Sequence, residues 1–181
     1  MFVFSQMQLL NNRVFILAIL IVLSINRVYA DTSNDTSTHT SRSGAWTVSC
    51  QSSTSTADPA CIATQLITKT NNAKQVVMGV TVGYEAQHPL PHIIFRISPG
   101  ANIHKGAAVK IDQQEYVSIP ISTCDDNVCE VRSFIPQALL EQMQQGKYLQ
   151  FAFFIKNQQF TYPISLDGFA QLYQILQSNH T

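Results

Sequence analysis

From Ala45 to Ile164 apolar residues recur at every second position or in short runs rich in Val, Ile, Phe and Thr, with Gly, Pro and Asn breaking the pattern at strand-length intervals. This predicts strands at Trp46–Cys50, Cys61–Thr68, Gln75–Tyr84, His92–Ser98, Ala107–Ile111, Tyr116–Ile119, Cys129–Ile135, Tyr148–Ile155 and Phe160–Ile164. Lys69-Thr-Asn-Asn-Ala73 and Lys156-Asn-Gln-Gln159 read as hairpin connections. Two stretches switch to helical spacing. Pro136, at a first helical position, leads through Ala138, Leu139, Leu140 and Met143 to Gly146, the proline-in, glycine-out order of a short helix. Beyond Ser165, a good N-cap, Phe169, Leu172, Tyr173, Ile175 and Leu176 share one face of a helix over Leu166–Gln177, expected to close one end of the core. The fold class that follows is all-β: a disulfide-stapled β-sandwich with two short helices, one of them C-terminal.

Ahead of this domain the pattern changes twice. Val14–Ile25 carries no charge, follows Arg13, and precedes Val28-Tyr-Ala30, a small-x-small-like cleavage site. It is short for a spanning helix, which needs about 20 apolar residues. Residues 1–30 are therefore expected to be a signal peptide, leaving Asp31 at the mature N-terminus; an uncleaved membrane anchor is the competing reading. No lipobox cysteine follows the apolar segment, which argues against a lipid anchor there. Residues 31–43 are almost wholly small and polar and are expected to form a disordered linker. The β domain is expected to span 44–177.

Four cysteines, all beyond the leader, admit three pairings, and an even count in an exported chain reads as a disulfide framework. Cys50–Cys61 and Cys124–Cys129 are favoured because each interval encloses turn-forming residues, Ser52 to Pro59 in the first and Asp125-Asp-Asn127 in the second. No C-x-x-C or zinc-finger His spacing supports a metal reading. The expected location is the periplasm or the exterior, with outer-membrane association also open.

Charge and motifs narrow the function classes. Removing residues 1–30 takes away Arg13 and Arg27 and no acid, so nine basic residues remain against eleven acidic ones, a net charge of −2. The remaining Lys and Arg are scattered singly, which argues against nucleic-acid binding. His88 and His92 are four apart, but Pro89 and Pro91 between them exclude a helical ligand pair, so both read as surface histidines. His104 has no carboxylate neighbour in sequence to orient it. Gly100 to Gly106 reads as a turn rather than a phosphate cradle, since Lys105 precedes a glycine and a β-like run. Asp125-Asp-Asn127 reads as a clamped turn rather than a calcium loop, which would spread its ligands over more positions. Neither G-x-S-x-G, H-E-x-x-H nor a Cys/His constellation occurs. No catalytic residue, cofactor or metal is expected. Tyr84–His92 and the 125–127 turn are the candidate contact surfaces, with His88, His92, Asp125, Asp126 and Asn127 as partner-facing residues.

The order of several short motifs carries a resemblance: G-A-W-T-V-S-C at Gly44–Cys50, C-x-x-x-Q at Cys61–Gln65, S-P-G-A-N-I-H-K-G-A-A-V-K-I-D at Ser98–Asp112, C-x4-C at Cys124–Cys129, and S-L-D-G-F at Ser165–Phe169. In this order the chain resembles the invasion-associated locus B family of bacterial envelope proteins from about Gly44 to Leu176. The resemblance implies an exported β-rich domain of Gram-negative bacteria, linked in some of them to host-cell entry, without catalytic residues and with the local disulfide pairing. Two departures, Pro89 to Arg96 and the acidic loop after Cys124, fall on surfaces a partner would meet. The expected function is non-enzymatic contact with an unidentified protein or envelope partner, with host-cell invasion as one role; the alternatives are a periplasmic envelope-maintenance or chaperone-like protein, or a small-ligand binder or enzyme with a site at the sandwich mouth.

Overall fold

Strand residues with alternate faces buried and exposed assemble into two antiparallel sheets in the computed structural model, which describes residues 37–52, 60–69, 72–85 and 88–180. The larger sheet takes β1 (Ser37–Ser43), β2 (Trp46–Ser52), β3 (Ala60–Lys69), β4 (Asn72–Gly83), β5 (His92–Ile97), β8 (Thr123–Cys124) and β9 (Cys129–Phe134), in the order β1-β2-β3-β4-β5-β9-β8. The smaller takes β6 (Ala107–Ile111), β7 (Val117–Ile119), β10 (Tyr148–Ile155) and β11 (Gln158–Ser165), in the order β11-β10-β6-β7. Helices α1 (Gln137–Gln145) and α2 (Phe169–Ser178) complete the domain.

The two sheets pack face to face through their inward positions. Trp46 and Val48 on β2, Met78, Val80 and Val82 on β4, and Phe95 and Ile97 on β5 meet Val109 and Ile111 on β6 and Leu149, Phe151 and Phe153 on β10 in one buried cluster. Phe95 stacks on Phe151 across the layers with ring centroids 4.2 Å apart. Residues two apart share a face of a strand, which is why these apolar sets have period two. Leu140 and Met143 of α1 and Phe169, Leu172 and Leu176 of α2 are buried in the same cluster. The fold is the β-sandwich with a C-terminal helix that the periodicity predicts.

Several boundaries move. Residues 31–43, expected to be an unstructured linker, contribute a strand over Ser37–Ser43, paired residue for residue with Ser52–Trp46. A polar strand needs only the backbone ladder of an existing sheet edge, so hydropathy does not reveal it. The short β8 is likewise defined by its pairing, Cys124 opposite Cys129. The second helix starts at Phe169 with Gly168, not Ser165, at its N-cap; Ser165 instead accepts the Asp167 amide through its hydroxyl at 3.2 Å. Pro136 occupies the N-cap of α1, one residue ahead of its predicted place, and Gly146 its C-cap. The expected leader, residues 1–30, and most of the turn inside the first disulfide, residues 53–59, lie outside the described residues.

Candidate functional site

Gly44–Trp46 and Ser165–Phe169, far apart in sequence, meet in the fold. The Trp46 indole donates to the Ser165 carbonyl at 3.0 Å, and the Ala45 amide to the Asp167 carbonyl at 3.1 Å. Gln65 completes the knot from β3: its Nε2 donates to the Ser165 carbonyl and its Oε1 accepts the Ser165 amide, each at 3.0 Å. The Ser43 hydroxyl donates to the Gly168 carbonyl at 2.8 Å. Gly44 and Gly168 both have positive φ, and a Cβ on either would run into the backbone opposite it, that of Asp167 and of Ser43 respectively. Trp46 packs edge-on against Phe169 at 5.7 Å. The motif residues Gly44, Trp46, Gln65, Ser165, Gly168 and Phe169 therefore form a latch that fastens α2 to the β1–β2 hairpin. Their role is architectural.

Both disulfides close between directly opposed residues of antiparallel neighbours, Cys50 with Cys61 across β2–β3 and Cys124 with Cys129 across β8–β9. No cysteine is free. In the loop of the second, Asp125 Oδ1 accepts the amides of Asn127 and Val128 at 2.7 and 2.8 Å. These bonds hold the Asp125 carboxyl below the usual carboxylate range. Asp125, Asp126 and Asn127 are all exposed, as a contact surface requires.

The two histidines part company. His88 is half-buried; its ring stacks on Phe134 with centroids 3.6 Å apart, and its Nδ1 sits 3.0 Å from the Leu90 carbonyl and 3.2 Å from the Leu90 amide. His92, expected at the surface, is instead only 8% exposed. It opens β5, an interior strand flanked by β4 and β9, where it lies opposite Gly83 and Phe134. Its Nδ1 is buried without a hydrogen-bond partner and lies 3.9 Å from Glu85 Oε1. Burial lowers the His92 pKa, and the Glu85 carboxylate opposes that shift in part. Glu85 is occupied by Arg132 at 2.8 Å, and Arg132 also reaches Glu130 at 3.4 Å. The chain end joins this group: His180 stacks on Tyr84 at 4.1 Å and its Nε2 lies 3.0 Å from the His88 carbonyl. Burial, and then its contact with the Tyr173 hydroxyl at 3.3 Å, holds the Tyr84 phenol well above its ordinary pKa. Among the described residues no three His, Cys, Asp or Glu side chains converge as metal ligands. His104 is exposed, and Asn102 Oδ1 caps its amide and that of Lys105 in the expected turn.

Beside this group the sandwich is open. A cavity of about 330 Å³ enters between β7 and α1 and reaches the inter-sheet core. Phe95, Val109, Met143 and Leu149, all nearly inaccessible, form its floor, and the more exposed Val117 and Phe134 stand at its mouth. Ser133 and Gln142 are the polar side chains in a lining that holds no ionisable residue, since Ser118, between the inward Val117 and Ile119, turns its hydroxyl to the outer face of the sheet. On β9 the inward parity runs Cys129, Val131, Ser133, so a small side chain occupies the place of a third core residue and leaves space. His88 braces Phe134 at the rim, which ties the Tyr84–His92 loop to the cavity. The sequence points to the loop and raises a site at the sandwich mouth only as an alternative; the one local signal for the cavity is Ser133 where the strand period calls for an apolar residue.

The architecture defines a class: a disulfide-stapled β-sandwich sealed by a C-terminal helix and open at one mouth. Its sequence matches the family described as invasion associated locus B (IalB) protein over residues 46–177, and the chain belongs to that family. Among solved structures it is similar to the crystal structure of invasion associated protein B from Bartonella henselae, with 18% sequence identity and a TM-score of 0.64. The likeness covers 77% of this chain and 95% of that one, and it shows the shared fold. No curated protein matches the sequence.

Proposed function

We propose that this is an exported, non-enzymatic envelope protein that acts by contact, in the periplasm or outside the cell, and that it serves host-cell invasion as its family name records. The observation that carries the reading is the pair of cross-strand disulfides in a family domain, since such bonds persist in oxidising compartments. The apolar leader, residues 14–25, supplies the export signal. The contact surfaces are the sandwich mouth with its braced rim and adjoining loop at His88, and, at the other end of β9, the exposed turn at Asp125–Asn127. An apolar cavity lined without ionisable groups is suited to binding rather than to acid–base chemistry.

Photo-crosslinking in intact bacteria tests this. A crosslinker placed at Phe134 or Asp126 is expected to capture a discrete envelope species, and one placed at His104 to capture none. Equal, diffuse labelling from all three positions would contradict it. A deletion strain that grows normally in culture but enters host cells less often supports the invasion role. A growth or envelope-stress defect in the absence of any host would move the role to envelope maintenance.

A further inference from the structure

We infer that the cavity at the sandwich mouth binds one linear acyl chain, which enters between β7 and α1 and leaves its headgroup in solvent. The inference rests on the exported, contact-making reading, because the envelope is where such chains occur. Three features of the cavity specify the ligand. The floor is formed by core residues of both sheets, Phe95 and Met143 among them, so an occupant must be fully desolvated at its inner end. The lining holds no ionisable residue, and a buried charge without a partner is strongly disfavoured, so the inserted part is uncharged.

The third feature separates an acyl chain from a peptide. A peptide segment brings an amide and a carbonyl with every residue, and each needs a partner when buried. Ser133 and Gln142 are too few to satisfy an inserted backbone, whereas an acyl chain makes no such demand. The volume, about 330 Å³, is near the lower end of the roughly 300–1,000 Å³ range of ligand pockets, which suits one chain rather than two. Both aromatic walls are fixed: Phe95 by its stack on Phe151, Phe134 by its stack on His88. The site is thus preformed, and binding does not have to order it.

The test uses the purified mature chain and a dansyl-labelled undecanoic acid as fluorescent probe. Saturable binding with one site per chain is expected, with displacement by unlabelled saturated fatty acids. Affinity should rise about fourfold with each added methylene, the equivalent of about 0.8 kcal/mol, until the cavity is full, and then level off. Dodecanoic acid, monododecanoylglycerol and a lauroyl lysophospholipid, each below its micellar concentration, identify the source of the chain. Similar affinity for all three is expected if the headgroup stays in solvent, and a preference above tenfold would assign the site to that lipid class. Ser133→Ile should fill the cavity and weaken binding at least tenfold. Val117→Trp, at an exposed mouth position on the inward face of β7, should do the same while leaving the urea denaturation midpoint of the fold unchanged. Absence of saturable binding, unchanged affinity in folded Val117→Trp, or displacement by aromatic peptides but not by fatty acids would overturn the inference. If the protein is nevertheless found exported and oxidised, the inference alone fails and the contact-making reading stands.

Discussion

Gln65 carries the connection between the N-terminal hairpin and the C-terminal segment by pairing with both backbone groups of Ser165. Gln65→Leu keeps much of the volume but strands the Ser165 amide, and a buried unsatisfied donor costs about 1–3 kcal/mol. Urea denaturation is expected to register a loss of that size. Gly168→Ala should also destabilise, on the order of 1–3 kcal/mol from the left-handed backbone alone, with the clash against Ser43 adding to it. His92 makes stability depend on pH. Its folded-state pKa lies below the unfolded value of 6.5, so between the two the unfolded chain binds the extra proton. Stability is therefore complete above about pH 6.5 and falls as the pH drops towards the lowered folded value, with a slope of at most about 1.4 kcal/mol per pH unit. Urea midpoints measured from pH 8 to pH 5 should show that fall, and His92→Phe should flatten it. A slope unchanged in His92→Phe would assign the pH dependence to other groups.

Among the elements, the two disulfides act on short loops. In the chain-entropy view, closing intervals of 11 and 5 residues contributes about 2–3 kcal/mol each. Replacing Cys124 and Cys129 together with Ser should lower the denaturation midpoint accordingly without abolishing export. Substituting Asp126 and Asn127 should leave stability unchanged and reduce crosslinking to a partner. The elements whose apolar positions face the core were legible in the sequence: β6 and β10 have their predicted limits, and most other strands shift by only a few residues. β1 was not legible, because residues 38–42 are exposed and its existence depends on the neighbouring β2 edge. The helix start moved from Ser165 to Gly168 because the intervening residues are committed to the latch with Ala45 and Trp46. Sequence spacing cannot announce such a long-range contact.

For the molecule as a whole, the ordered motifs were enough to place the chain in its family, yet most of them turn out to hold the sandwich together. The site was less legible. A cavity arises where two sheets and a helix fail to fill a shared volume, and only Ser133 betrays this locally. The reading of His92 as a surface residue failed for a related reason: local sequence shows the flanking prolines but not that β5 is an interior strand on which the ring is nearly inaccessible. His88, by contrast, stands at the rim, where it braces Phe134.

The proposed function depends on the protein leaving a reducing compartment and closing both sulfur bridges. Intact-mass spectrometry of the native protein from fractionated cells, with thiol alkylation before and after reduction, tests this most directly. The expected product lies in the extracytoplasmic fraction, begins at Asp31, takes up no label when native and gains four labels once reduced. Native cytoplasmic protein that retains Met1 and labels at all four cysteines would contradict the account.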